Sequence, residues 1–264
     1  MVSATRPYTD AHAIARLDFA LIFRGEIDAG AKTTLVDRLT SHLSTFGLDR
    51  VEPDEDDDDD HAIAFERRSD DEQVAEEVHV HENYVHVVWS DYRGWPFSRD
   101  GALERLQPVL SLLGDGVLEL GAVGLAYHDV FLTDKATDYR SESVFRADTP
   151  LLAPFIIKQG ATWRYWVDWI EQAPAVSSWR NRAALSIDVG NRNDDDGGKI
   201  HVTEVVHRQR LSPSQDGAKV SEKDLSSMWD QAHSDNRSLM KRLITDEMLE
   251  LVGLKEGPNE HAMH

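Results

Sequence analysis

Cysteine is absent from this 264-residue chain. Disulfides, thiolate metal sites and cysteine nucleophiles are thereby excluded. Long apolar runs are missing too. No stretch approaches the roughly 20 residues that a membrane span needs. Met1 to Asp10 lacks a basic stretch followed by an apolar one, so no signal peptide is expected, and the cytoplasm is the expected location. Positive charge is scarce: 28 Lys and Arg stand against 48 Asp and Glu, a formal net charge of −20. Such a surface repels phosphate polymers and anionic membranes, so no direct nucleic acid and no membrane partner is expected, and a basic protein partner is favoured. A salt-adapted or GC-rich host is the other explanation, since Arg far outnumbers Lys.

Apolar residues make up 41% of the chain, enough for a sizeable core. The pattern along it predicts an α+β protein. Leu17, Phe19, Leu21 and Phe23 alternate as a strand. Asp28 is placed to cap a helix carrying Leu35, Leu39, Leu43 and Phe46, with Gly47 to stop it. A like-charge run from Glu52 to Asp60 cannot pack and reads as a loop. Val78 to Val87 reads as a hairpin turning at Glu82-Asn83. Its register pairs His79 with His86 and Val80 with Val85, placing the valines on one face and His79, His81, Tyr84 and His86 on the other.

Gly94 to Phe97 breaks the sheet. Ser98 is expected to cap a helix buried through Leu103, Leu106, Val109, Leu110 and Leu113. Val117 to Leu132 returns as a long strand, and residues 133–149 read as a polar loop. A second half begins near Pro150. It holds an aromatic strand from Thr162 to Ile170, a hairpin from Ala183 to Arg208 and a long helix opened by Ser221 and Asp224 as a capping box. Thr245 caps a last short helix. The halves, 1–149 and 150–264, share the order strand, hairpin, long helix. The expectation is antiparallel sheets covered on one face by amphipathic helices, in two pseudo-duplicated halves packed as one compact unit.

Several segments are candidates for chemistry. Gly25 to Thr33 follows a strand and opens a helix, as a phosphate loop does. However, Ala31 is inserted before Lys32, and Asp28 stands where phosphate would sit, so an ordinary helix start is the better reading. The 191–198 turn lacks both the spacing and the final glutamate of a calcium loop. His79, His81 and His86 are different. Two imidazoles at i and i+2 with a third across the hairpin can converge on a divalent ion, with Glu77 nearby. His128-Asp129 and His233 do not assemble into a triad from spacing alone. Trp163, Trp166 and Trp169 on one strand, with Trp95, supply large side chains suited to a partner surface. Asp56, Asp57 and Asp58 supply acidic charge for the same role.

Three segments resemble a sporadically distributed bacterial family of similar length with no assigned activity. They are Tyr92 through Trp95-Pro96-Phe97 into the helix at 99–113, Val117 to Phe131, and His233 with Leu239 and Ile244-Thr245-Asp246. This chain departs at Ala126, within Gly124-Leu125-Ala126-Tyr127, where the family tends to have arginine. The resemblance implies no catalytic residues. It implies an accessory role in a mobile cluster of the toxin–antitoxin or phage-defence kind.

Three functions follow as expectations. The first is a non-catalytic, antitoxin-like interaction protein that binds a protein partner through an acidic, aromatic-bearing surface and needs no cofactor. The second is a metal-dependent hydrolase using the 78–87 histidines and a divalent metal. The third is a small-ligand module in the cleft between the halves.

Overall fold

The computed structural model describes residues 5–51, 63–172, 179–193, 198–213 and 220–255. Among these, ten strands form one antiparallel sheet: β1 (Thr5–Pro7), β2 (Ile14–Phe23), β3 (Asp49–Val51), β4 (Ile63–Arg68), β5 (Val74–Val80), β6 (Tyr84–Trp89), β7 (Leu120–Thr133), β8 (Trp163–Gln172), β9 (Trp179–Asn193) and β10 (Lys199–Pro213). Their order is β3-β4-β5-β6-β2-β7-β10-β9-β8, and β1 pairs with the end of β7. Six helices accompany the sheet among the described residues: α1 (Ala29–Leu43), α2 (Trp95–Arg105), α3 (Gln107–Gly114), α4 (Ser141–Val144), α5 (Glu222–Leu243) and α6 (Asp246–Leu251). No described helix is long and apolar enough to cross a membrane.

Alternation along each strand divides the residues between two faces. Leu17, Phe19, Leu21, Val78, Val80, Val85, Val87, Val123, Leu125 and Tyr127 point toward the helices and are buried. Full burial of such a side chain is worth about 1.5–3 kcal/mol. This core takes the buried sides of α1, α2, α3 and the start of α5. A second cluster gathers Phe131, Tyr139, Phe145, Leu185, Ile187 and Val205 under the end of α5 and α6. Trp229 of α5 ties helix to sheet, donating its indole N–H to the Gly124 carbonyl at 3.0 Å. Buried Glu76 meets Arg67 Nη2 at 3.1 Å and Arg105 Nε at 2.6 Å, so its charge is matched inside the core.

The α+β class, the antiparallel pairing and the one-sided helical cover match expectation. The hairpin register also agrees, with His79 opposite His86 and Val80 opposite Val85. Four expectations need correction, and a fifth, the duplication, is not shown. The halves contribute to one sheet rather than a pair, because β7 and β10 pair over eleven positions. Seven described strands precede residue 150 and three follow it, so no duplication is shown. Ser98 is not a cap. Pro96 is compatible with the first turn, so α2 begins at Trp95 and Ser98 is buried within it. Pro108, at the start of α3, separates that helix from α2 at Leu106. Finally, residues 133–149 are more than a loop: Tyr139, Val144 and Phe145 carry the apolar weight there and enter the second core.

Candidate functional site

The other sheet face has no helix over it among the described residues. Its side chains are therefore set by the strands alone. In cross-strand register one row reads His79, His86, Ala20, Gly124, Arg210, Arg182 and Ile170, from β5 across to β8. Histidines stand at one end, small residues in the middle and arginines toward the other end.

At the histidine end, His79, His81 and His86 offer ligand nitrogens that all lie within 4.8 Å of one another. A tetrahedral ion with metal–nitrogen bonds of about 2.0–2.1 Å needs nitrogens roughly 3.4 Å apart. His79 Nε2 is 2.9 Å from Glu77 Oε2, which leaves Nδ1 as its ligand atom. This carboxylate–imidazole pairing orients metal-binding histidines. The His86 ring lies edge-on to His79 and His81, with centroids 4.8 and 5.2 Å away. Its Nε2 is buried without a hydrogen-bond partner. Burial, aided by His79 and His81 and opposed by Asp18, brings the His86 pKa down to about 3, so its lone pair is available at neutral pH. Tyr84 stacks on His81 at 3.9 Å and supports that ring.

The middle of the row is a trough of about 340 Å³. Ala20, Gly124, Ala126 and Ala184 lie along it, with Asp18 and His86 on one side and Arg182, Arg208 and Arg210 on the other. Gly124 keeps the floor low, since a Cβ there would come within 3.0 Å of the Ala20 Cβ. Ala126 lies directly across from Arg208. Arg210 stands opposite Arg182 in register. Arg182 is held by Asp168 at 2.6 Å, whereas Arg210 has no acidic partner among the described residues. Like charges placed opposite each other destabilise a strand pair, and Asp168 offsets the repulsion from the Arg182 side alone.

A charge network borders the trough. His128 lies between Asp18 (3.6 Å) and Glu204 (3.2 Å), and Arg192 and Arg16 close the two ends. Burial opposes charge on His128, but hydrogen bonds to Asp18 and Glu204 prevail and raise its pKa. The same contact, with Arg192 assisting against burial, lowers Glu204 to about 2.

The aromatic candidates separate. Trp163 is 8% exposed and donates to Ser141 Oγ at 3.3 Å, so it belongs to the core. Trp95 is partly buried, stacked on His233 at 4.3 Å and bonded to Asp230 at 2.7 Å. Trp169 stacks on His207 on the helix side. Trp166 alone of the four is exposed, at 62%. Asp56, Asp57 and Asp58 lie outside the described residues. His128 and Asp129, adjacent in sequence, fall on opposite faces by strand alternation. The arginine row was missed in the sequence because Arg182 and Arg210 are far apart along the chain; alternation on both strands of the 183–208 hairpin was the available signal. No family model and no curated protein matches this chain.

Proposed function

We propose that the open sheet face is a metal-dependent site for a small anionic substrate. His79, His81 and His86 hold a divalent ion, zinc being suited to a set of imidazoles. Arg182, Arg208 and Arg210 take the substrate's phosphate or carboxylate. The observation that carries the reading is the convergence of three imidazoles, His86 with a buried Nε2 that has no hydrogen-bond partner, at the head of a trough that ends in arginines. Three strand steps separate His86 from Arg210, about 14 Å at roughly 4.8 Å per strand. That span suits a phosphorylated metabolite better than a free phosphate ion. The ion would polarise the substrate and supply hydroxide from bound water, the chemistry of hydrolysis. The arginines also show how a chain of charge −20 can attract an anion: the excess charge is global and the trough is local.

The test begins with protein made without an affinity tag. Zinc content and zinc titration should give one equivalent, reduced well below one in His86→Ala. A panel of phosphate and carboxylate esters should then show turnover that a chelator abolishes and zinc restores. Less than stoichiometric metal, unchanged by the substitution, would remove the proposal.

A second reading, a protein partner, is supported by β8. This strand is an edge of the sheet and exposes Trp166 and Ile170, the latter at 71%. Exposed apolar side chains on an edge strand are suited to strand addition by another chain. Around Trp166 the charges are paired, Arg164 with Asp188 and Arg182 with Asp168. A partner there would read shape and backbone more than net charge. Pull-down from the native host with Trp166→Ser as control tests it: equal recovery of a stoichiometric partner by both proteins counts against this edge.

A further inference from the structure

On the helix-covered face lies a cleft of about 630 Å³, independent of the metal trough. The start of β2, the segment entering α2, β7, the middle of α5 and the turn after α6 surround it. Its walls are largely flat rings. Trp95 and His233 are stacked almost parallel, at 4°, and Tyr127 Oη meets His233 Nδ1 at 2.6 Å. Tyr92 lines the same space. The volume falls within the roughly 300–1,000 Å³ of small-molecule sites, and aromatic walls with a few polar groups are their usual lining.

Asp129 of β7 borders this cleft. It is 5% exposed, and its Oδ2 has no hydrogen-bond partner. Folded proteins rarely leave a buried carboxyl oxygen unmatched, because the lost hydration is not recovered. No arginine or lysine among the described residues is bonded to that oxygen. A β-bulge lies directly beside it, where Ile14 pairs with Asp129 but Arg16 already pairs with His128. Bulges of this kind re-aim side chains next to sites.

We propose that this cleft binds a flat organic molecule bearing a protonated nitrogen, an aromatic amine or amidine, with Asp129 receiving the nitrogen. Tyr92 packs against the flat body, and Trp95, already stacked by Phe19 and His233, borders it. Arg237 is exposed and lines the cleft, so the ligand's far end is neutral or anionic.

The surrounding groups leave Asp129 as the one that titrates near neutrality. Burial raises it to about 7, with His128 from the opposite face pulling the other way. Burial, aided by Asp129, raises Tyr92 to about 12, and burial also raises Tyr127 well above its ordinary value. Burial and Arg237 bring His233 down to about 4, and burial lowers His12. Arg93 is engaged by Asp91 at 2.8 Å. Pairing with a cation requires the carboxylate, so binding weakens by about fivefold from pH 7 to 6 and by about tenfold for each unit below that.

Benzamidine is the probe, with the isosteres benzamide and benzoate as controls, titrated into the full chain in the presence of a chelator. The readouts are calorimetry and intrinsic tryptophan emission. Benzamidine should bind at least tenfold more tightly than either control, lose about fivefold between pH 7 and 6, and release a proton on binding at pH 6. Asp129→Asn, of equal size, should abolish the preference while unfolding cooperatively like the parent. Equal affinity for the three probes, no binding by any, or a preference that survives Asp129→Asn would overturn the proposal. The chelator separates this result from the metal centre, since loss of zinc leaves the cleft intact.

Discussion

His79 donates from Nε2 to Glu77 Oε2 at 2.9 Å, both residues belonging to the same face of one strand. The bond fixes which nitrogen of His79 is free to ligate. Glu77→Gln keeps the shape but weakens the acceptor and the basicity it lends to the ring. Zinc affinity should fall by about 10–100-fold, with stoichiometry retained. His86→Ala, which removes a ligand, should cost more. Competition with a calibrated zinc chelator measures both. Equal affinity in Glu77→Gln and the parent would mean that the pair is a surface contact without a role in metal binding.

Arg210→Ala addresses the other end of the trough. Hydrogen bonds to charged groups are worth roughly 1.5–3 kcal/mol, so affinity for an anionic ester should fall by about 10–100-fold. Stability should not fall with it. Arg210 faces Arg182 and lacks an acidic partner among the described residues, so its removal relieves a repulsion. Binding by calorimetry and urea unfolding on the same variant separate the two effects. A variant that loses stability while keeping affinity would place Arg210 in the structure rather than the site.

Glu76 is fully buried between Arg67 and Arg105. Glu76→Ala leaves two guanidinium groups without the carboxylate that both address. The cost should be about 3–5 kcal/mol, as for a buried ion pair broken from one side. Urea denaturation reads it directly. The second arginine contact matters here, because Arg105 also lies 4.0 Å over the Phe46 ring and is not free to turn to solvent.

The network around His128 has a definite pH window. Its folded pKa is raised above 6.5, so its contribution is complete below that value and fades as pH rises through the folded pKa. Glu204 is lowered from 4.5 to about 2, so its contribution is complete above 4.5 and fades as pH falls toward 2. Both act together between about pH 4.5 and 6.5. His128→Gln should therefore lower the melting temperature more at pH 5.5 than at pH 8.5. Thermal unfolding of both proteins at the two pH values checks the difference, and equal losses would contradict it.

What the sequence revealed depends on how local the determinants are. Alternation and a two-residue turn specify the hairpin at 78–87, so its register and the shared histidine face are legible in ten consecutive residues. Capping does the same for Asp28, Ser221 and Thr245, each of which bonds its own helix start. The trough and the cleft are long-range objects. Joining His86 to Arg210 requires knowing that β2 and β7 lie between them, and nothing near either residue encodes that order. Trp163 and Trp166 show the limit within one strand. Alternation separates their faces, but which face α4 and the 133–149 segment cover depends on Tyr139 and Phe145, which a polar stretch conceals.

Asp129 gives the sharpest single prediction. Its carboxyl is raised from 3.8 to about 7 by burial, with His128 opposing. A folded pKa above the unfolded one means a contribution that is fully present below pH 3.8 and is lost as pH rises through 7. Above pH 7 the fold carries a buried carboxylate without a donor at Oδ2. At about 1.4 kcal/mol per pKa unit the loss is of order 4 kcal/mol. Asn cannot ionise and escapes it, though its amide needs partners of its own and returns part of the gain. Asp129→Asn should therefore be close to the parent near pH 4 and more stable by a few kcal/mol at pH 8, in urea unfolding with equal slopes. Benzamidine should narrow that gap by stabilising only the parent, because a ligand bound by the folded state alone adds to its stability. A variant less stable than the parent at pH 8 would show that the carboxylate has a donor in solution. The same result would remove the reason for a cation in the cleft.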